Sequence, residues 1–190
     1  MIFYIMGKSA SGKDSLYKRL LDSNLGLDKV IIYTTRPMRD GEVDGVEYRF
    51  VDKDYIFNNK NVIEKRIYHT VFGDWYYATI DDGTITKDKN YIVIGTLESY
   101  NILKAYFGEN MIFPIYLEVD NDLRKKRAIE REMMQKEPKL DEMERRFKAD
   151  EIDFSEDNIK NAKITKKYIN DDFDRCYDEI VKDIREKINA

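Results

Sequence analysis

Short, almost unbroken apolar runs recur along the chain, separated by stretches with apolar residues three or four apart. Met1-Ile2-Phe3-Tyr4-Ile5-Met6, Lys29-Val30-Ile31-Ile32-Tyr33, Tyr91-Ile92-Val93-Ile94-Gly95 and Met111 to Val119 have the pattern of strands buried on both faces. Pro114 costs a ladder hydrogen bond and predicts a bulge or an edge in the last of these. After the first run, Leu16 with Leu20 and Tyr17 with Leu21 give helical spacing. A helix is predicted over Leu97 to Phe107, and a long charged one opens at Asp120 to Asp122. Phe173, Tyr177, Ile180, Val181, Ile184 and Ile188 mark one apolar face of a C-terminal helix. Lys166 to Asp172 reads as a last strand entering a loop. Between the second and third runs lie a strand pattern at Val46 to Val51, a short helix at Asp54 to Asn59, and a strand at Asn61 to Tyr68. The expected fold is α/β, a parallel sheet flanked by helices.

Composition narrows the class. The 190 residues make one domain, or one core with inserted subdomains. A hydrophobic fraction of 42% with 13% aromatic residues is enough for a core. Charged residues reach 37%, but the signs are mixed and the net charge is −4, which argues against a bulk nucleic-acid binder and leaves room for a local basic pocket. Cys176 is the single cysteine, so it forms no internal disulfide and fits a reducing cytoplasm. Its helical context makes it a packing residue. His69, the lone histidine, is read as structural or surface-exposed. Six apolar residues are too few for a secretory signal core, and no stretch approaches 18, so a cytoplasmic chain without a membrane span is expected.

Chemistry enters at Gly7-Lys8-Ser9-Ala10-Ser11-Gly12-Lys13-Asp14-Ser15. The pattern G-x-x-x-x-G-K between a strand and a helix is that of a phosphate-binding loop, or P-loop. Backbone N–H groups and the helix N-terminus favour an anion there, and Lys13 neutralises nucleotide phosphates. Asp14 stands where Ser or Thr would meet Mg²⁺, and Ser15 offers a hydroxyl one residue later. The segment Tyr33 to Val51 is the most distinctive. Arg36 and Arg39 flank the stiff Pro37, two guanidinium forks suited to a phosphate, and Tyr48 adds a phenol.

The pattern T-T-R-x-x-R-x-G-E-V-x-G-x-x-Y after a P-loop resembles the guanylate kinases, and the likeness extends from Ile2 to about Ile188. It implies an acceptor-binding insertion at 34–88, a helical lid at 128–150, and a core of 1–33, 89–127 and 151–190. Arg36, Arg39, Tyr48 and Tyr77 would hold the phosphate of GMP. Glu64 would accept from N1 and N2 of guanine, with Thr79 and Thr96 beside the base. Arg127, Arg131 and Arg146 would close over the transferring group, and Asn170-Asp171 would lie near the adenine of ATP. The implied activity is ATP-dependent, Mg²⁺-requiring phosphorylation of GMP, with dGMP as a further acceptor, in a monomer or homodimer that binds neither nucleic acid nor membrane. Two departures stand out. The family's acidic positions after the third run are Ile94 and Thr96 here, which leaves Asp14, Ser15 or Glu98 to organise the metal. Ala78 replaces a usual glycine, and the Glu64–Tyr77 spacing predicts a loop insertion at about 68–74. The cluster Phe72, Trp75, Tyr76 and Tyr77 reads either as part of the site or as a small core. The alternatives are a kinase of another phosphorylated acceptor, and a non-catalytic interaction module of the same fold.

Overall fold

A computed structural model describes residues 1–70 and 73–189. Among these residues, β1 (Ile2–Gly7) is central to a five-stranded parallel sheet. Its partners are β7 (Asn90–Ile94) and β8 (Ile112–Glu118), with β2 (Leu27–Lys29) and β9 (Lys167–Ile169) at the edges, in the order β2-β7-β1-β8-β9. Successive side chains of a strand face opposite ways. Ile2, Tyr4 and Met6 therefore enter one core with Tyr91, Val93, Tyr100 and Leu103. Phe3 and Ile5 enter another with Leu16, Leu20, Ile180 and Ile184. Covering both faces is what the unbroken apolar run of β1 requires.

Helices α1 (Lys13–Leu21), α3 (Leu97–Phe107) and α7 (Phe173–Ile188) flank this sheet. On α7, Cys176, Ile180 and Ile184 are buried, and burial pushes the Cys176 thiol up to about 11. The cysteine is a packing residue. Pro114 lies in β8 ahead of Tyr116, where pairing with β9 begins, so it sits at an open edge, as expected.

The run at Lys29 to Tyr33 behaves differently from the single strand expected of it. The first sheet keeps Leu27 to Lys29, and Val30 N–H adds one more bond to the Ile92 carbonyl (3.1 Å). The chain then crosses to a second sheet, where Tyr33–Thr34 form β3. Val30 and Ile32, half-buried at the crossing, pack against the first core. One apolar run serves two sheets.

The second sheet has the order β4-β3-β6-β5, with β4 (Arg49–Phe50), β5 (Val62–Thr70) and β6 (Gly73–Ile80). Only β4 survives from the strand expected at Val46 to Val51. Gly45 N–H turns back to the Tyr48 carbonyl (2.8 Å), and Val46 N–H bonds the Val43 carbonyl, so the earlier residues form a turn. Helix α2 (Lys53–Asn58) is capped by Asp52, which accepts from Tyr55 N–H (2.6 Å). The insertion expected as a loop is paired strand instead, with His69 opposite Asp74 and Thr70 opposite Gly73. Phe72 lies outside the described residues. Exposed His69 pairs through Nδ1 with Asp74 (2.6 Å), a surface role.

Helices α4 (Asn121–Met133) and α5 (Leu140–Asp153) form a hairpin across the Pro138 connection, and α6 (Glu156–Asn161) follows. Among the described residues, no helix is long and apolar enough to cross a membrane.

Candidate active site

The P-loop emerges from β1 between its two parallel neighbours, at the carboxyl edge where open α/β sheets hold ligands. A side chain at Gly7 would place Cβ 2.4 Å from the Leu117 carbonyl oxygen. Gly12 has φ of +91°, and a Cβ there would meet Asn170 Nδ2 at 2.4 Å. Backbone and space both demand glycine at position 12. Buried Asn170 donates from Nδ2 to the Ser11 carbonyl (2.8 Å), so it supports the loop from below. Asp171, exposed beyond it, pairs with Arg175.

Lys13 curls over the loop and donates to the carbonyls of Gly7 (2.7 Å) and Lys8 (2.9 Å). Burial lowers its pKa, opposed by Asp150 and Asp14 and reinforced by Arg124 and Arg131. Asp14 and Ser15 are exposed in the first turn of α1.

The arginines of α4 divide. Arg124 is 1% exposed and donates to the Ser9 carbonyl (3.2 Å), Asn121 (2.9 Å) and Glu151 (3.1 Å). Asp150 lies 3.4 Å from it and accepts from Ser9 N–H (2.7 Å), while Lys8 pairs with Glu151 (2.6 Å). These contacts tie the end of α5 to the P-loop. Arg127 donates to the Asn170 carbonyl (3.0 Å). Arg131 is exposed, with its charge felt at Lys13. Arg146 is exposed and pairs with Glu142 (3.4 Å), away from the other two. Sequence reasoning placed Arg124 on one helix face with Arg127 and Arg131 without this role, and it missed Asp150. Their ion pair spans 26 residues, and nothing local announces it.

The acceptor side is built by the alternation of β5 and β6. Tyr76, Ala78 and Ile80 pack with Tyr33 and Ile56 on one face. The other face carries Tyr77 and Thr79 from β6 with Glu64 and Arg66 from β5, in the register Glu64–Thr79 and Arg66–Tyr77. Glu64 is buried and accepts from Thr79 Oγ1 (2.8 Å), and Arg66 Nε lies 3.2 Å from its other oxygen.

At the far end, Arg36 is 4% exposed. It donates to Glu42 (2.7 Å) and to the Pro37 carbonyl (2.8 Å), and its Cζ lies 5.3 Å from the Tyr48 ring centre. The Glu42 bond raises the Arg36 pKa against its burial, and Tyr77 adds to the rise. Glu42 is held below the usual carboxylate range by Arg36 and then by Arg39 N–H (2.7 Å). The Arg39 side chain is exposed. Tyr48 and Tyr77 meet edge to face at 5.7 Å, and Tyr68 meets Tyr77 at 5.2 Å. Burial, and then the charge of Tyr48, pushes the Tyr17 hydroxyl of α1 up to about 12. Glu42 was not singled out from the sequence. Its place directly after the Asp40-Gly41 turn, as the acidic letter of the T-T-R-x-x-R-x-G-E-V pattern, was the available signal.

Thr96 uses Oγ1 to accept from Ser99 N–H (3.2 Å) as the cap of α3, and its carbonyl accepts from Tyr4 OH (3.0 Å). Ile94 ends β7, and Glu98 is exposed in the first turn of α3.

A family description of guanylate kinase matches residues 2–187. The chain belongs to the guanylate kinase family. A guanylate kinase of Helicobacter hepaticus is 29% identical over 140 residues, covering 69% of this chain and 66% of that protein. One of Neisseria gonorrhoeae is 42% identical over 83 residues, covering 43% and 40%. The chain thus aligns with less than two thirds of the length of either relative. Among solved structures, a guanylate kinase of Anaplasma phagocytophilum has the same fold, with a TM-score of 0.64 at 17% identity over 98% of this chain and 85% of that one. Within the guanylate kinase family, then, this chain keeps the P-loop glycines and Lys13, and carries Ile94 and Thr96 at the end of β7.

Proposed function

We propose that the chain transfers the γ-phosphoryl group of ATP to GMP, and to dGMP, by direct in-line attack in the cytoplasm. One observation carries this reading. A carboxylate–hydroxyl pair, Glu64–Thr79, stands on one sheet face with Tyr77, which meets Tyr48 and, through it, the buried guanidinium of Arg36, a phosphate-sized basic group. Guanine offers adjacent N1–H and N2–H donors, which suit a carboxylate, and adenine lacks that pair.

Catalysis then rests on positioning and on charge neutralisation. The P-loop amides and Lys13 bind the donor phosphates, after Lys13 gives up its carbonyl partners. Arg36 exchanges Glu42 for the acceptor phosphate, with Arg39, Tyr48 and Tyr77 around it. Arg127, Arg131 and Arg146 close with the α4–α5 hairpin and exclude water. A bound Mg²⁺ would supply neutralisation of the negative charge on the donor phosphates, and Asp14 and Ser15 would be the residues to hold it. Among the described residues there is no cluster of acidic, histidine and cysteine side chains to cage a metal. Exposed Asp14 and Ser15 supply the oxygen donors a hydrated Mg²⁺ takes, directly or through water.

The test is ADP release with ATP and Mg²⁺ against GMP, dGMP, IMP, AMP, CMP and UMP. Turnover with the guanine nucleotides above the others is expected. ATP binding without turnover on any of them points to another phosphorylated acceptor. No ATP binding points to an interaction module.

A further inference from the structure

Arg66 stands on the same face as Glu64, Tyr77 and Thr79 and has been given no role in the proposed reaction. It lies two residues from Glu64 on β5, hence on the same face, and opposite Tyr77 of β6. The side chain is 19% exposed, and its charge acts on Tyr4 together with those of Glu64 and Tyr68. The contact with Glu64 is loose. Nε is 3.2 Å from one carboxylate oxygen and Nη2 is 3.4 Å from the other. Glu64 Oε2 and Arg66 Nε are both shut away from solvent, and neither is in an aligned hydrogen bond. The two groups are held by charge more than by aligned hydrogen bonds. Such an arrangement is suited to a ligand that gives the carboxylate aligned donors and takes a remaining N–H of the guanidinium.

A 6-oxopurine edge does so. It presents N–H donors at N2 and N1 and an acceptor at O6, side by side. The Glu64 carboxylate takes the donors. The guanidinium carries five N–H donors, and Nε and Nη2 account for its contacts with Glu64, which leaves Nη1 for O6. Arginine donating to O6 and N7 is the commonest specific contact to guanine in nucleic-acid recognition, and the same geometry is available to a free nucleotide. Thr96 Oγ1 caps α3 and the Thr79 hydroxyl donates to Glu64, which leaves O6 to a further donor.

We propose that Arg66 reads the 6-oxo group of the acceptor base and sets the preference for 6-oxopurine over 6-aminopurine nucleotides. The inference rests on the acceptor reading above. Its test compares Arg66→Ala and Arg66→Lys with the parent on GMP, IMP and AMP. Both kinetics and calorimetric binding are read, with melting temperature as a check of folding. IMP keeps N1–H and O6 without the 2-amino group, and AMP lacks O6. For Arg66→Ala, the KM and Kd for GMP and for IMP should rise by about tenfold to a hundredfold, with AMP and the KM for ATP unchanged. Arg66→Lys should recover part of the loss. An equal loss on all three acceptors would overturn the proposal, since that is the mark of a structural role. Unchanged or tighter GMP binding would overturn it too, because Arg66 would then only occupy Glu64. The binding comparison stands whether or not GMP is phosphorylated, so failed turnover counts against the proposed reaction alone.

Discussion

The P-loop and the second sheet are built on opposite principles. The P-loop presents backbone. Its shape comes from β1, from glycines that nothing else can replace, and from long-range props at Asn170, Arg124 and Asp150. Beneath it lie two clusters of 14 and 13 buried hydrophobic residues. The second sheet presents side chains, and among the described residues the buried cluster behind it has five members: Tyr33, Ile56, Tyr76, Ala78 and Ile80. Backbone recognition suits a phosphate common to every nucleotide, and it survives side-chain drift. Side-chain recognition can discriminate one base from another, but it rests on a thin layer that opens more easily.

The contrast can be broken by substitution. Lys13→Ala should lower ADP release by about a hundredfold or more, since a positioned charge in the transition state is lost. Near-normal rates would mean that the backbone alone handles the donor. Gly12→Ala meets φ of +91° and the Asn170 amide, and should cost about 1–3 kcal/mol of stability together with ATP affinity, read by thermal melting and nucleotide titration. Ile56→Ala removes a buried side chain from the small cluster and should cost about 2–5 kcal/mol. Amide exchange should then rise in β3 to β6 while β1 stays protected. Uniform exchange across both sheets would show a single cooperative unit.

Two smaller effects sharpen the comparison. Because burial lowers the Lys13 pKa below 10.5, the ammonium is lost before a free lysine would titrate. The kcat/KM for ATP should therefore fall as pH rises through that lowered value, and Lys13→Arg should move the alkaline limb upward. The same shift makes free folding less favourable below the lowered pKa, where a charge is buried, and more favourable as pH rises toward 10.5. Cys176, its thiol pushed up to about 11, should react slowly with a thiol reagent at pH 8 and at the rate of global unfolding. Fast labelling in the native state would contradict a tightly closed lower core.

Much of this molecule is written locally. The run through β1, the P-loop glycines and the apolar face of α7 each state their own structure, because periodicity and backbone permission act over a few residues. The helix at Leu97 to Phe107 follows from its spacing with its boundaries intact. The guanylate kinase resemblance also came from contiguous motif residues.

Partners across the chain are another matter. An apolar run at Lys29 to Tyr33 declares burial but not which sheet receives each residue, and here two do. Arg124 looks in sequence like one more lid arginine, and folding buries it against Ser9 and Glu151. Arg36 finds Glu42 through a turn, and Asp150 reaches Ser9 N–H across 141 residues. Arg66 meets Glu64 through the period of one strand, but its neighbourhood with Tyr4 exists only once β5 lies against the core. The sequence by itself determined the inner strands of the first sheet, helices α1, α3 and α7, the phosphate loop and the family. Tertiary structure alone decided which charges pair and which remain open to a ligand, because Coulomb attraction and burial depend on distance in space, and no spacing along the chain encodes that.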